Sequence, residues 1–148
     1  YPGGWSQVSS IIITVGKILS LDIKKMEQIK NVSFLQCDFL EENTKNRILK
    51  FFNENLDVIL SDMAADTTGN KSLDCIKTNQ LCAEVINFSY KILKSDGVLV
   101  AKLFMGEDFL EVKELAKSKF VKVQFFKPEA SRNESKETYI HCATLKSL

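Results

Sequence analysis

Asp57-Val58-Ile59-Leu60-Ser61-Asp62-Met63-Ala64 is the stretch from which the rest of the chain is read. Its apolar centre, Val58-Ile59-Leu60, is β-branched at two of three positions and stops abruptly at Ser61-Asp62. That pattern is expected of a buried parallel strand whose carboxyl end delivers a carboxylate to the edge of a sheet. Open α/β sheets collect their ligands at those carboxyl ends. The segment that follows, Ala65 to Lys71, is polar and carries Gly69-Asn70, so it reads as a loop with no packing use for Asp62. A solvated loop carboxylate is the alternative to a functional one.

Toward the N-terminus the same motif recurs twice. Gly16 to Asp22 reads as a strand ending in an acid, and Asn31 to Gln36 as another, followed by Cys37-Asp38-Phe39. Three strands ending in Asp22, Asp38 and Asp62 would place three carboxylates along one sheet edge. Thr44 to Asn53 has helical spacing, with Ile48, Leu49 and Phe52 on one face. Pro2-Gly3-Gly4 is turn chemistry running into a helix expected from Trp5 to Thr14. Glycines there let backbone N–H groups approach a ligand at a helix N-terminus, although a plain surface turn has the same composition. Asp22 lies 18 residues beyond Gly4, the order of spacing at which an acid holds ribose hydroxyls in nucleotide-binding α/β units.

Toward the C-terminus, Ser72 to Leu93 reads as a long helix with Ile76, Leu81, Val85, Phe88 and Ile92 inward, ended by Ser95-Asp96-Gly97. Cys75 and Cys82 read as small core-side residues on it. Val98 to Phe104 is the next apolar strand, interrupted by Lys102. A lysine there must reach solvent or meet a carboxylate, because burying an unpaired ammonium is costly. The result is either a structural ion pair or the environment in which general-base lysines are built. Glu107 to Ser118 is an amphipathic helix. Phe120 to Phe126 and Glu137 to Ala143 are strands joined by the polar turn Lys127 to Ser135, which suggests an antiparallel hairpin closing the sheet. His141, the single histidine, falls at a strand-face position.

The 148 residues, 45% apolar and 26% charged, fit one soluble domain with one core. The formal charge of +1 argues for no particular partner, but six cations face two anions between Lys117 and Lys136. Such a local excess can pair with phosphates or can be a solvated basic face. The four cysteines (37, 75, 82 and 142) show neither metal-ligand spacing nor a disulfide framework, so no metal is expected and reduced thiols in a cytosolic compartment are. The longest apolar run is too short for a membrane span.

Together these motifs resemble those of the FtsJ-type RNA 2′-O-methyltransferases, and within them the branch of ribosomal RNA large-subunit methyltransferase E. The residues that carry the resemblance are Pro2-Gly3-Gly4-Trp5-Ser6-Gln7, Asp22, Cys37-Asp38-Phe39, Ser61-Asp62-Met63-Ala64, Val100-Ala101-Lys102, Lys127-Pro128-Glu129-Ala130-Ser131-Arg132 and Glu137-Thr138-Tyr139. They run the whole chain in order and with matching spacing. The resemblance implies a Rossmann-like α/β methyltransferase fold, mostly parallel with an antiparallel C-terminal strand, that binds S-adenosylmethionine. Gly3, Gly4 and Trp5 match its cofactor loop, Asp22 the acid at the cofactor ribose, Asp38 the one near the adenine, and Asp62 a residue beside the methionine part. The family's catalytic tetrad is Lys-Asp-Lys-Glu, and Asp62, Lys102 and Glu137 match its last three members. Lys127, Arg132 and Lys136 are expected to hold RNA phosphates. The implied substrate is a uridine of large-subunit ribosomal RNA, free or in the large ribosomal subunit, with a transfer RNA anticodon loop as the alternative. A monomer in a bacterial cytoplasm is expected, with no membrane; a mitochondrial relative would read the same way.

The tetrad's first lysine has no counterpart, because in the family it lies upstream of the glycine loop, as do the first strand and an Asp-x-Gly. The resemblance therefore implies an N-terminally truncated chain lacking its first strand, a strand that belongs between those ending at Asp22 and Asp62. Folding and activity of the chain by itself stay open on this reading. A second departure is Ala65-Asp66, where the family commonly has Pro-Asn. A non-catalytic RNA-binding relic is the competing reading from another class. A nicotinamide-dependent dehydrogenase is disfavoured by the lack of GxGxxG.

Overall fold

The structure, a computed structural model, describes residues 1–129, 131–132 and 135–147. The chain divides into two compact units, Tyr1–Glu54 and Asn55–Leu148.

The first unit contains α1 (Gly4–Ile12), β1 (Leu19–Asp22), β2 (Ser33–Gln36) and α2 (Glu42–Phe52). β1 and β2 pair in parallel, with Leu19 opposite Ser33 and Asp22 opposite Gln36, so both strands end at the same edge. Gly3 caps α1 in the left-handed region at φ 111°, and a Cβ on it would stand 2.5 Å from Met26 Sδ. Only glycine meets both conditions. Met26, Thr44 and Ile48 are buried in this unit, and Ser6 Oγ lies 2.8 Å from Ser20 Oγ, joining α1 to β1. α1 ends two residues before the expected Thr14, with Ile13 extended, because the run Ile11-Ile12-Ile13-Thr14-Val15 is β-branched throughout.

The second unit contains β3 (Leu56–Ser61), α3 (Lys71–Ile92), β4 (Leu93–Phe104), α4 (Phe109–Lys119), β5 (Phe120–Phe126) and β6 (Glu137–Leu145). Its sheet has the order β3-β4-β6-β5. β3 is parallel to β4, and β6 runs antiparallel to both β4 and β5, so three strands share one direction and the last opposes them. This is the mostly parallel sheet with an antiparallel C-terminal strand read from the sequence, and β6 closes it by inserting between β4 and β5.

Register separates the two faces of this sheet. Leu99, Ala101, Leu103, Ile140 and Cys142 are all fully buried on one face, packed with α3 and α4 through Val85, Ile86, Ile92, Val112 and Ala116. Full burial of each large aliphatic side chain stabilises by roughly 1.5–3 kcal/mol, which makes this face the unit's main core. The other face carries Val98, Val100, Lys102 and Phe104 of β4 against Ala143, His141, Tyr139 and Glu137 of β6, all half-buried.

Three expectations change. Val58 and Leu60 are 51% and 45% exposed, because the helices of this unit cover only the face of Ile59 and Ser61. Asp22 and Asp38 follow one sheet and Asp62 another, since β1 is paired only by β2 and β3 only by β4 among the described residues. The Ser95-Asp96-Gly97 signal marks a bulge inside β4. Leu56 pairs with Leu93 and Val58 with Val98, so residues 94–97 stand opposite Asp57 alone.

Candidate active site

Lys102 lies on β4 directly opposite Tyr139 of β6, while Phe104 is opposite Glu137. Ser61 pairs with Ala101, so the next residue of each strand, Asp62 and Lys102, come level at the carboxyl ends of β3 and β4. The result is a cluster. Lys102 Nζ is 3.0 Å from Asp62 Oδ1 and 3.3 Å from Glu137 Oε1, and Tyr139 donates its hydroxyl to Asp62 Oδ1 at 2.7 Å. Phe126 of β5 stacks on Tyr139, centroids 5.7 Å apart and planes at 21°. The lysine side chain is 12% exposed, whereas Asp62 and Glu137 keep 43% and 41%. The cluster thus has a shielded cation and an accessible pair of carboxylates.

Burial alone would lower the pKa of Lys102, but the hydrogen bond and charge of Asp62, with Glu137 behind it, outweigh that and raise it. The ammonium is therefore its state at neutral pH. Tyr139 is pushed well above its usual range, first by burial and then by its bond to Asp62, so it stays a neutral donor. Sequence reasoning did not single out Tyr139 for a role. The signal was available in the period of two, since Glu137, Tyr139 and His141 share a face of β6 with Lys102 across the ladder.

The loops beyond β3 and β4 are held by the start of α3. Asn70 caps that helix, its Oδ1 accepting from the N–H groups of Ser72 and Leu73. Asp74 Oδ1 accepts from Thr68 N at 2.8 Å and Thr68 Oγ1 at 2.7 Å, which hold its carboxyl below the usual range despite burial. Thr78 Oγ1 accepts from Ala65 N. Asn79, fully buried, accepts from Phe104 N and donates to Phe104 O and Asp108 Oδ1, at 2.8–2.9 Å. Polar residues thus occupy the inward face of α3 next to Cys75 and Cys82, and Ile76, expected inward, is 37% exposed. Burial drives the thiols of Cys82 and Cys142 up to about 12, which leaves them unreactive packing groups.

In the first unit, Gly3 and Gly4 open α1 beside a half-buried Trp5. Asp22 is half-buried, and its Oδ1 accepts from Lys24 N at 2.8 Å. Asp38 is exposed and accepts from Leu40 N. The basic turn joins β5 to β6 next to Glu137. There Lys127 Nζ bonds the Ser135 carbonyl at 2.8 Å, and Arg132 and Lys136 are exposed. Ala130, Asn133 and Glu134 of that turn lie outside the described residues.

The profile of the FtsJ-like methyltransferases matches residues 1–145. A relative from Pelagibacter ubique, named ribosomal RNA large subunit methyltransferase E, is 41% identical over 145 residues, covering 98% of this chain and 71% of its own. One of the same name from Rickettsia akari is 43% identical over 145 residues, covering 94% of this chain and 64% of its own. The chain thus spans about two thirds of the length of these relatives. Among solved structures, a protein of Plasmodium falciparum described as a ribosomal RNA methyltransferase superposes with a TM-score of 0.86 at 27% identity, over 98% of this chain and 82% of that one. Human methyltransferase-like protein 13, solved with SAH, shares the fold at a TM-score of 0.69 and 16% identity, over 97% and 68%.

Proposed function

Because the chain belongs to the FtsJ-like methyltransferase family, we propose that it transfers a methyl group from S-adenosylmethionine to a ribose 2′-hydroxyl of RNA, at a uridine of large-subunit ribosomal RNA. The observation that carries the reading is the Lys102 ammonium 3.0 Å from Asp62 and 3.3 Å from Glu137 at the carboxyl ends of the strands. The ribosomal substrate is supported by the names of the two bacterial relatives.

The residues present fit the cofactor. The left-handed turn at Gly3 opens a nine-residue helix, and the position a Cβ of Gly4 would take has no atom within 4 Å, so a ligand can approach that first turn closely. Asp22 is half-buried at the end of β1 and keeps one oxygen on the backbone N–H of Lys24, which fixes its carboxylate for ribose hydroxyls. In the first unit, Gly3, Gly4, Trp5, Asp22 and Asp38 would hold S-adenosylmethionine. When bound, it supplies an electrophilic methyl on a sulfonium.

What the chain must supply is a hydroxyl aligned with that methyl and a destination for its proton. Lys102 donates a hydrogen bond to the 2′-oxygen, fixing its position. It cannot take the proton while it is an ammonium. The hydroxyl's proton goes instead to one of the two accessible carboxylates, Asp62 or Glu137. Tyr139, a neutral donor on Asp62, keeps that carboxylate turned toward Lys102. Outside the cluster, Lys127, Arg132 and Lys136 hold phosphates of the RNA.

The test is the linkage formed. Ribosomal RNA from cells lacking the modification is incubated with the protein and S-adenosylmethionine carrying a radioactive methyl, then hydrolysed with alkali. Label in an alkali-resistant dinucleotide is expected, because a methylated 2′-oxygen cannot attack its own phosphodiester. Label released as mononucleotide would show base methylation and reject the reading.

A further inference from the structure

We propose that the cleft beside Glu137 is a binding site for a nucleobase of single-stranded RNA, the neighbour of the nucleotide whose ribose is methylated. The proposal rests on the reading of RNA as the methyl acceptor, and adds a subsite that the acceptor chemistry does not require.

The cleft measures about 440 Å³ and is walled by Met105, Phe109, Phe125, Phe126, Lys136 and Glu137. That volume lies within the roughly 300–1,000 Å³ of small-ligand sites. Glu137 belongs to both places: it lines the cleft and stands 3.3 Å from Lys102 Nζ. A strand of RNA with one ribose at Lys102 therefore carries its next nucleotide into the cleft. The walls are preformed. Met105 N donates to Lys136 O at 2.9 Å, tying the loop after β4 to the start of β6, and Phe109 packs on Phe125 with centroids 4.8 Å apart.

The chemistry of the walls selects the occupant. Phe126 is 44% exposed and Met105 48%, an apolar pair left open to solvent beside charged neighbours. Phe126 is itself backed by Tyr139 in a stacked arrangement, so the ring is held in place by the residue that bonds Asp62. Flat apolar surface with lysines at its rim suits a base stacked on the ring and phosphates at Lys127 and Lys136. Two lysines line the cleft, Lys127 and Lys136, against the one carboxylate of Glu137, an excess of one positive charge that favours a polyanion. Stacking tolerates any base, so this subsite contributes affinity and alignment with little sequence choice.

The test measures binding of a short, fluorescently labelled, single-stranded oligouridylate, and of an abasic ribose-phosphate oligomer of the same length, by anisotropy. Phe126→Leu should weaken oligouridylate binding about tenfold, since base–aromatic stacking is worth roughly this much or more. The abasic oligomer should bind the unaltered protein weakly and be indifferent to Phe126→Leu. Affinity for S-adenosylmethionine should not change in the variant. Met105→Ala, at the half-exposed opposite wall, serves as a second variant if Phe126→Leu melts early, and should give a smaller loss confined to the base-bearing oligomer. Equal binding of the two oligomers, or oligouridylate affinity unchanged in both folded variants, would overturn the cleft while leaving methyl transfer standing. Displacement of oligouridylate by an acidic peptide as readily as by RNA would assign the cleft to a protein and overturn it too. If the unaltered protein neither binds nor methylates RNA, both the subsite and the function fall.

Discussion

Lys102 Nζ has Asp62 at 3.0 Å and Glu137 at 3.3 Å, and these carboxylates raise its pKa in spite of burial. A raised pKa means that the folded protein favours the ammonium more than the unfolded chain does. Its contribution to stability is complete below the ordinary lysine range and fades as pH rises through the higher, folded value. The melting temperature of the unaltered protein minus that of Lys102→Met should therefore be level up to about pH 10 and shrink above it, given an ordinary lysine pKa of ~10.4. Tyr139→Phe tests the neighbouring contact: it removes only the hydroxyl that Asp62 accepts and keeps the ring stacked on Phe126. Water can reach the half-exposed Asp62, so losing the hydroxyl should cost about 1 kcal/mol of stability and lower the melting temperature by a few degrees, while methyl transfer slows because Asp62 is no longer held toward Lys102. Asp62 and Lys102 were legible in the sequence because each breaks a local pattern, an acid ending an apolar strand and a lysine interrupting one, whereas Glu137 came only from the family resemblance. Tyr139 breaks none, since a tyrosine suits a half-buried strand for packing reasons alone.

At the scale of elements, α3 does more than cover the sheet. Its buried Asp74, Thr78 and Asn79 reach the loops after β3 and β4, the strands that carry Asp62 and Lys102. Asn79→Ala would leave the N–H of Phe104 and its carbonyl without their side-chain partner at a part-buried position. A cost of about 1–2 kcal/mol follows, and chemical denaturation should read it. Asn79→Asp would keep the acceptor for Phe104 N and lose the donor to Phe104 O and Asp108, and should set a carboxylate against Asp108. The positions of helices and strands were largely legible from periodicity, with ends moved by a few residues. The polar inner face of α3 was not, because helical periodicity assigns apolar residues inward and cannot see a loop in need of donors and acceptors. The bulge in β4 escaped for a related reason: Ser95-Asp96-Gly97 has the composition of a turn whether the chain reverses or only buckles.

For the molecule as a whole, sheet order and strand direction in the second unit follow from the order of apolar segments and the connections between them. Two parallel neighbours joined by a long helix, then a hairpin, leave few arrangements. The division into Tyr1–Glu54 and Asn55–Leu148 was not legible, because composition does not change at residue 54 and ladder pairing is long-range. Net charge near zero conceals the basic turn, and the turn gives a separable prediction. Arg132→Ala should weaken RNA binding at every sequence and lower the salt slope of log Kd by about one, with affinity for S-adenosylmethionine unchanged. Loss of both affinities together would remove Arg132 from the RNA site. The central claim, that the Lys102 cluster performs the transfer, is tested most directly by single-turnover methyl transfer from S-adenosylmethionine to ribosomal RNA, comparing the unaltered protein with Lys102→Ala at matched cofactor occupancy. Positioned proton transfer and alignment predict a rate lower by about 10²–10⁴ with cofactor affinity intact. A Lys102→Ala rate within a few-fold of the unaltered one would contradict the account.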